Sequence, residues 1–145
     1  MVATLAGSGY APIAPGTVGS LITLILLWLW APSPITLVIA IVVVTLVGVW
    51  AGGRAEILIG KKDPGAVVID EVAGMMLSVL LLPQTLATFV SAFFLFRLFD
   101  IVKPYPASQW QAWPGGIGIL ADDLMAGAYA NILLHISREL IDFPR

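Results

Sequence analysis

Charged residues are absent from five stretches of the chain: Val18 to Ala31, Ile35 to Ala51, Val72 to Leu82, Thr85 to Phe96 and Leu124 to Ile136. Each is apolar enough to predict a helix. A full membrane crossing needs ~20 apolar residues at a rise of ~1.5 Å each, and only the second run approaches that length. The shorter runs are expected to penetrate partway or to extend into the polar residues that flank them.

Proline marks two interruptions, Pro32-Ser33-Pro34 and Pro83-Gln84. A proline removes a backbone donor and clashes inside a helix, so each break reads as the apex of a helical hairpin. The chain then enters at Val18, returns at Ala51, enters again after Glu71 and returns near Asp100. Everything outside the hairpins falls on one face, and a last helix leaves that face near Asp123 and ends near Arg138. The expected fold is all-α: a compact, membrane-embedded bundle of two helical hairpins plus a C-terminal helix, one domain over residues 1–145.

Composition agrees with this reading. Of the 145 residues, 59% are hydrophobic and 11% charged, against about 25% charged in a soluble domain. Much of the surface must therefore face something other than water. Arg54, Lys61, Lys62, Arg97 and Lys103 all fall on the shared face, and neither apex carries a charge. By the positive-inside rule that face is expected to be cytoplasmic. Arg138, on the other side, can snorkel. The five tryptophans, Trp28, Trp30, Trp50, Trp110 and Trp113, lie near the ends of apolar runs, where interfacial aromatics belong.

Net charge and cysteine content remove whole classes of function. With a formal charge of -2 and no run of Lys or Arg, the chain is not expected to bind nucleic acid. With no cysteine it has no thiolate zinc site and no cysteine nucleophile. Residues 1–10 lack a basic n-region and do not read as a cleaved signal peptide.

Four polar segments interrupt this apolar background. The first, Gly7-x-Gly9-x-x-Pro12-x-Ala14-Pro15-Gly16-Thr17-x-Gly19-Ser20, leads into the first helix. It could present backbone N–H groups to an anion, or be a plain turn with Thr17 as N-cap. The second, Lys61-Lys62-Asp63-Pro64 followed by Asp70-Glu71-x-x-Gly74, ends in adjacent acids. These could be a cap and a dipole partner, but ionisable groups at a membrane boundary are functional candidates by default.

The third segment places Arg97, Asp100 and Lys103 at i, i+3 and i+6 in a helix expected to end at Pro104. They form either a salt-bridge ladder or a metal ligand flanked by two phosphate-gripping cations. The fourth is Gly115-Gly116-Ile117-Gly118, followed by Asp122-Asp123 and Gly127. Capping explains one of its aspartates but hardly both. Oxygen-rich clusters of this kind suit a hard cation such as Mg²⁺. His135, deep in the last run, reads as a hydrogen-bonded core or interfacial residue.

Taken together and in order, these segments resemble the phosphatidylglycerophosphatase A family. The resemblance rests on Ala14-Pro15-Gly16-Thr17-x-Gly19-Ser20, Lys62-Asp63-Pro64, Asp70-Glu71-x-x-Gly74, Phe96-Arg97-x-x-Asp100-x-x-Lys103-Pro104-x-Pro106, Gly115-Gly116-x-Gly118 and Asp122-Asp123-x-x-x-Gly127. Family members carry a short segment ahead of the first motif, which here begins almost at once, so the start is expected to be shortened.

The resemblance implies Mg²⁺-dependent hydrolysis of phosphatidylglycerol phosphate to phosphatidylglycerol and inorganic phosphate, at the bacterial inner membrane, in a multi-pass protein with its site facing the cytoplasm. Mg²⁺ is expected on some of Asp70, Glu71, Asp100, Asp122 and Asp123, with Asp63 as general base to an attacking water. Arg97, Lys103 and Lys62 are expected to neutralise the phosphate, with Thr17, Ser20 and the glycine loop on its other side. Association of copies through the apolar faces is left open. A cation channel or transporter would line a path through the bilayer with its acids, and a non-catalytic lipid scaffold would need fewer of them.

Overall fold

The computed structural model describes residues 2–3, 14–60, 67–110 and 112–141. Among them are six helices and no strand: α1 (Pro15–Trp30), α2 (Pro34–Ile59), α3 (Ile69–Ser78), α4 (Leu86–Val102), α5 (Ala107–Trp110) and α6 (Gly115–Ile141).

Both proline breaks reverse the chain, but the first joins helices that do not pack on each other: α1 and α2 each pack on α3 instead. Ser33 caps α2 by accepting from the Thr36 N–H at 3.2 Å, and Pro34 follows at the first helical position, where its missing donor costs nothing. Thr85 caps α4 in the same way, accepting from the Thr88 N–H at 3.2 Å. The apices lie side by side, because the Gln84 amide donates to the Pro32 carbonyl at 2.7 Å.

Four local expectations are corrected. Helix α1 opens at Pro15 after Ala14 in the left-handed region, so Thr17 is not its N-cap. Helix α4 stops at Val102, and Lys103 closes it from the left-handed region instead of lying on its face. A short helix, α5, occupies a stretch that carried no apolar run. Helix α6 begins at Gly115 and not near Asp123, so it draws the aspartate pair two turns into its interior and spans about 40 Å.

Helix α3 is the shortest of the four hairpin segments, with ten residues of which seven are buried. It stops at Ser78 inside the bundle, where its last carbonyls would lack partners. Asn131 of α6 supplies them, donating to Ser78 O at 3.2 Å and Leu80 O at 2.8 Å, and His135 Nε2 reaches Leu80 O at 3.2 Å. A carbonyl can only accept, so that imidazole nitrogen is the donor. His135 thus has the hydrogen-bonded structural place expected of it.

Helices α3 and α6 form the centre, with α1, α2 and α4 packed around them. Met75, Phe89, Ala92, Phe96, Ala126 and Leu134 are buried in one core cluster; Ala73, Ile119 and Leu120 fill a second, nearer α2. Glycines set how closely the helices cross. A Cβ on Gly127 would lie 2.3 Å from the Gly74 carbonyl oxygen, and one on Gly74 would lie 2.6 Å from the Asp123 carbonyl oxygen. Likewise a Cβ on Gly116 would lie 1.9 Å from Val49 O, and Gly48 rests against Leu120.

The outer surface is apolar. Along α2, Ile35, Ile39, Val43, Leu46 and Trp50 are exposed, as are Ile25, Leu29, Phe94 and Leu98 on α1 and α4. By length and composition α2 and α6 are the two described helices long and apolar enough to cross a membrane.

Candidate functional site

Three segments deliver side chains to one place. At the start of α3 the backbone does the capping: the Val68 and Ile69 N–H groups both donate to Ala3 O, at 2.8 and 3.1 Å. Asp70 is therefore not the N-cap, and it and Glu71 stand in the first turn, where the helix dipole favours negative charge. From α4 come Arg97 and, one turn later, Asp100. Asp122 and Asp123 come from the interior of α6, each 2% exposed. No cap role exists for either, since the helix opened two turns earlier.

Two cations stitch the acids together. Arg97 donates to Asp100 and its Nη1 lies 4.0 Å from Glu71 Oε1. Lys103 donates to Asp122 and lies 3.6 Å from Asp100 Oδ1. The salt-bridge ladder read from the sequence thus exists but does not stay on its own helix; it reaches into α3 and α6. Burial alone would lower the Lys103 pKa, but the hydrogen bond and charge of Asp122, with Asp123 and Asp100 behind it, carry it well above the ordinary lysine range.

Carboxylate oxygens from Asp70, Glu71 and Asp123 lie within 4.8 Å of one another, and so do those from Asp100, Asp122 and Asp123. Asp123 belongs to both groups. Five carboxylates face two basic side chains, an excess of negative charge in a buried setting. Asp123 Oδ2 and Glu71 Oε2 are buried with no hydrogen-bond partner. A buried carboxylate oxygen without a partner costs several kcal/mol, roughly, unless it takes up a proton or a cation, so this donor set could hold a cation. Its all-oxygen chemistry fits a hard divalent ion, and together the acidic clusters could bind a metal.

The first motif arrives at the same place through Gly16. A Cβ there would lie 2.5 Å from Glu71 Oε1 and 3.0 Å from Arg97 Nη1, so only glycine lets the start of α1 touch the site. Thr17, next to it, is half-buried. Ser20 faces inward instead: it is fully buried and its hydroxyl donates to Gly16 O at 2.8 Å, which leaves it no proton for a phosphate. Asp63 and Lys62 lie outside the described residues.

Reading the sequence gave Gly74 and Gly127 no packing role. Gly74 and Gly127 each lie one turn after an acid of the site, Asp70 and Asp123, and their contact is what brings those acids together. The visible signal was that shared spacing of four. Gly48-x-x-x-Gly52 on α2 carried a similar one, the small-residue pattern of closely crossing membrane helices.

An apolar-surfaced helical bundle with buried carboxylates and two cations at one end defines a class: a membrane-associated protein whose acidic clusters could bind a metal ion. The chain belongs to the phosphatidylglycerophosphatase A family, whose description matches residues 1–138. It is 34% identical to the phosphatidylglycerophosphatase A of Escherichia coli over 133 residues, 89% of this chain and 77% of that one. With that of Haemophilus influenzae it shares 33% over 132 residues, 88% and 81% of the two chains. A Bacteroides thetaiotaomicron protein with the provisional name phosphatidylinositol-3-phosphatase is 36% identical over 150 residues, 97% and 94% of the two. No solved structure matches the chain.

Proposed function

We propose that this chain hydrolyses the terminal phosphomonoester of phosphatidylglycerol phosphate, giving phosphatidylglycerol and inorganic phosphate, with Mg²⁺ as its metal. Family membership and the names of two relatives support the reaction. The observation that carries the site is the sharing of Asp123 between two carboxylate groups, with Arg97 and Lys103 threaded between them.

Asp70, Glu71 and Asp123 would hold one metal, and Asp100, Asp122 and Asp123 offer a second place for one. When bound, the ion polarises a phosphoryl oxygen and lowers the pKa of a water. Arg97, tethered by Asp100, presents guanidinium N–H groups to the phosphate and offsets charge that spreads over its outer oxygens in the transition state. Lys103, held by Asp122, does the same as a fixed ammonium. Gly16 brings the start of α1 against Glu71 and Arg97, with Thr17 beside it. Asp63 remains the proposed base.

The lipid substrate and the apolar outer surface suit several membrane crossings in a bacterial inner membrane. Arg97 and Lys103 at the site end, against uncharged apices, support a site facing the cytoplasm. A second reading, a phosphomonoester on another lipid headgroup, is favoured by the Bacteroides relative, which spans nearly the whole chain.

Phosphate release from purified phosphatidylglycerol phosphate and phosphatidylinositol 3-phosphate, with and without EDTA, tests both readings. Turnover of the first lipid, abolished by EDTA and restored by Mg²⁺, is expected. Asp70→Asn and Asp123→Asn are each expected to lose about a hundredfold or more while remaining folded. Near-normal turnover in both would sink the assignment.

A further inference from the structure

Between α1 and α4 runs an open groove of about 460 Å³, walled by Leu21, Ile25 and Leu29 on one side and by Leu86, Val90 and Phe93 on the other. Its floor includes the edge contact of Trp28 with Phe89, ring centroids 5.5 Å apart. These two helices are antiparallel, and at one end they hold Gly16 against Arg97. Leu21 follows Gly16 by five residues, about 7.5 Å, and Phe93 precedes Arg97 by one turn. The groove therefore opens just below the site.

From there it runs toward the apices for about 12 Å, the rise from Leu21 to Leu29, against ~15 Å for one leaflet of a bilayer core. Its wall carries no charged side chain. Cation at the top and hydrocarbon below match a molecule with a phosphate at one end and an alkyl chain at the other. Of the cavities in the described residues, the one at the apices beside Arg138 lies at the opposite end of the bundle and cannot serve a molecule held at Arg97.

We infer that this groove seats an acyl chain of the phospholipid whose phosphate is bound beside Arg97, an inference that rests on the lipid phosphatase reading. The groove then supplies binding energy and aligns the headgroup, and chain length becomes a determinant of affinity.

The test uses the full chain in detergent micelles. Ile25→Phe and Val90→Phe narrow the groove, and Val43→Phe adds bulk at an exposed position on α2, outside the groove between α1 and α4. With long-chain phosphatidylglycerol phosphate, the two groove variants should raise KM about tenfold, the contact of roughly two buried methylenes, with kcat unchanged. With a dihexanoyl substrate they should match the wild type, and Val43→Phe should match it with both. Equal effects on short and long chains, or none on either, would overturn the inference.

A binding measurement keeps the groove testable if turnover is absent or a variant misfolds. A stoichiometric amount of phosphatidylglycerol phosphate with brominated acyl chains should quench the wild-type tryptophan fluorescence more than that of Trp28→Phe. Equal quenching removes the acyl chain from the groove whatever the activity. Failure of phosphate release alongside unequal quenching would instead count against the phosphatase reading and leave the groove standing.

Discussion

At the scale of single residues, the site depends on where charge is held as much as on how much of it there is. Arg97 meets both Asp100 and Glu71 with one end of its guanidinium, which leaves other N–H groups to face an oxyanion. Arg97→Lys keeps the charge and loses the fork, so phosphate release should fall on the order of a hundredfold. A loss of only a few-fold in the same assay would reduce Arg97 to a generic positive charge. Asp70, Glu71, Asp100, Asp122 and Asp123 were all legible in the sequence as acids out of place beside apolar runs. Ser20 was misread, because a hydroxyl in a glycine-rich segment looks the same whether it faces a ligand or bonds back to the preceding turn.

Among the elements, the crossing of α3 and α6 matters most. Gly127→Ala would place a methyl group against the Gly74 carbonyl, and the two helices would have to part. The expected cost is about 1–3 kcal/mol of stability, together with weakened metal binding as Asp70 and Glu71 move from Asp123. Thermal unfolding with and without Mg²⁺ checks both, and a variant that unfolds lower yet keeps the full Mg²⁺-dependent shift would separate packing from site geometry. Asn131→Leu strands the last carbonyls of α3 and should cost about 1–3 kcal/mol while leaving KM near normal. Neither contact was visible beforehand. Hydrophobic runs and proline breaks gave the chain reversals, but the end of α3 is met by a partner more than fifty residues away in the chain.

Across the whole molecule, the sites of charge and of hydrocarbon are sorted along the bundle axis. The motif end carries Arg97, Lys103 and the acids, the apex loops are uncharged with Arg138 beside them, and exposed apolar side chains cover much of the length between. Because the chain has no cysteine, single-cysteine variants give a clean label of topology. Ser33→Cys at an apex and Glu56→Cys near the end of α2 should react with a membrane-impermeant maleimide from opposite sides of the inner membrane, Ser33→Cys from outside. Reaction of both from the same side would remove the proposed orientation. All-α architecture and the two chain reversals followed from patterning alone, because lipid demands that backbone groups be satisfied within each helix. The depth of the aspartates inside α6 did not, since nothing in the pattern marked Gly115 as the start of a helix.

The brevity of α3 also has a bearing on how the chain is built. A segment of ten residues, about 15 Å long, with two acids at its start is too short to cross a bilayer core of ~30 Å by itself. Its terminal carbonyls wait for Asn131 and its acids for Asp123, both on α6, which is synthesised after it. The second hairpin should therefore remain provisional during translation and lock only when α6 docks. A nascent chain halted before Asn131 leaves the ribosome with α3 open to protease, and one released after Ile141 should not.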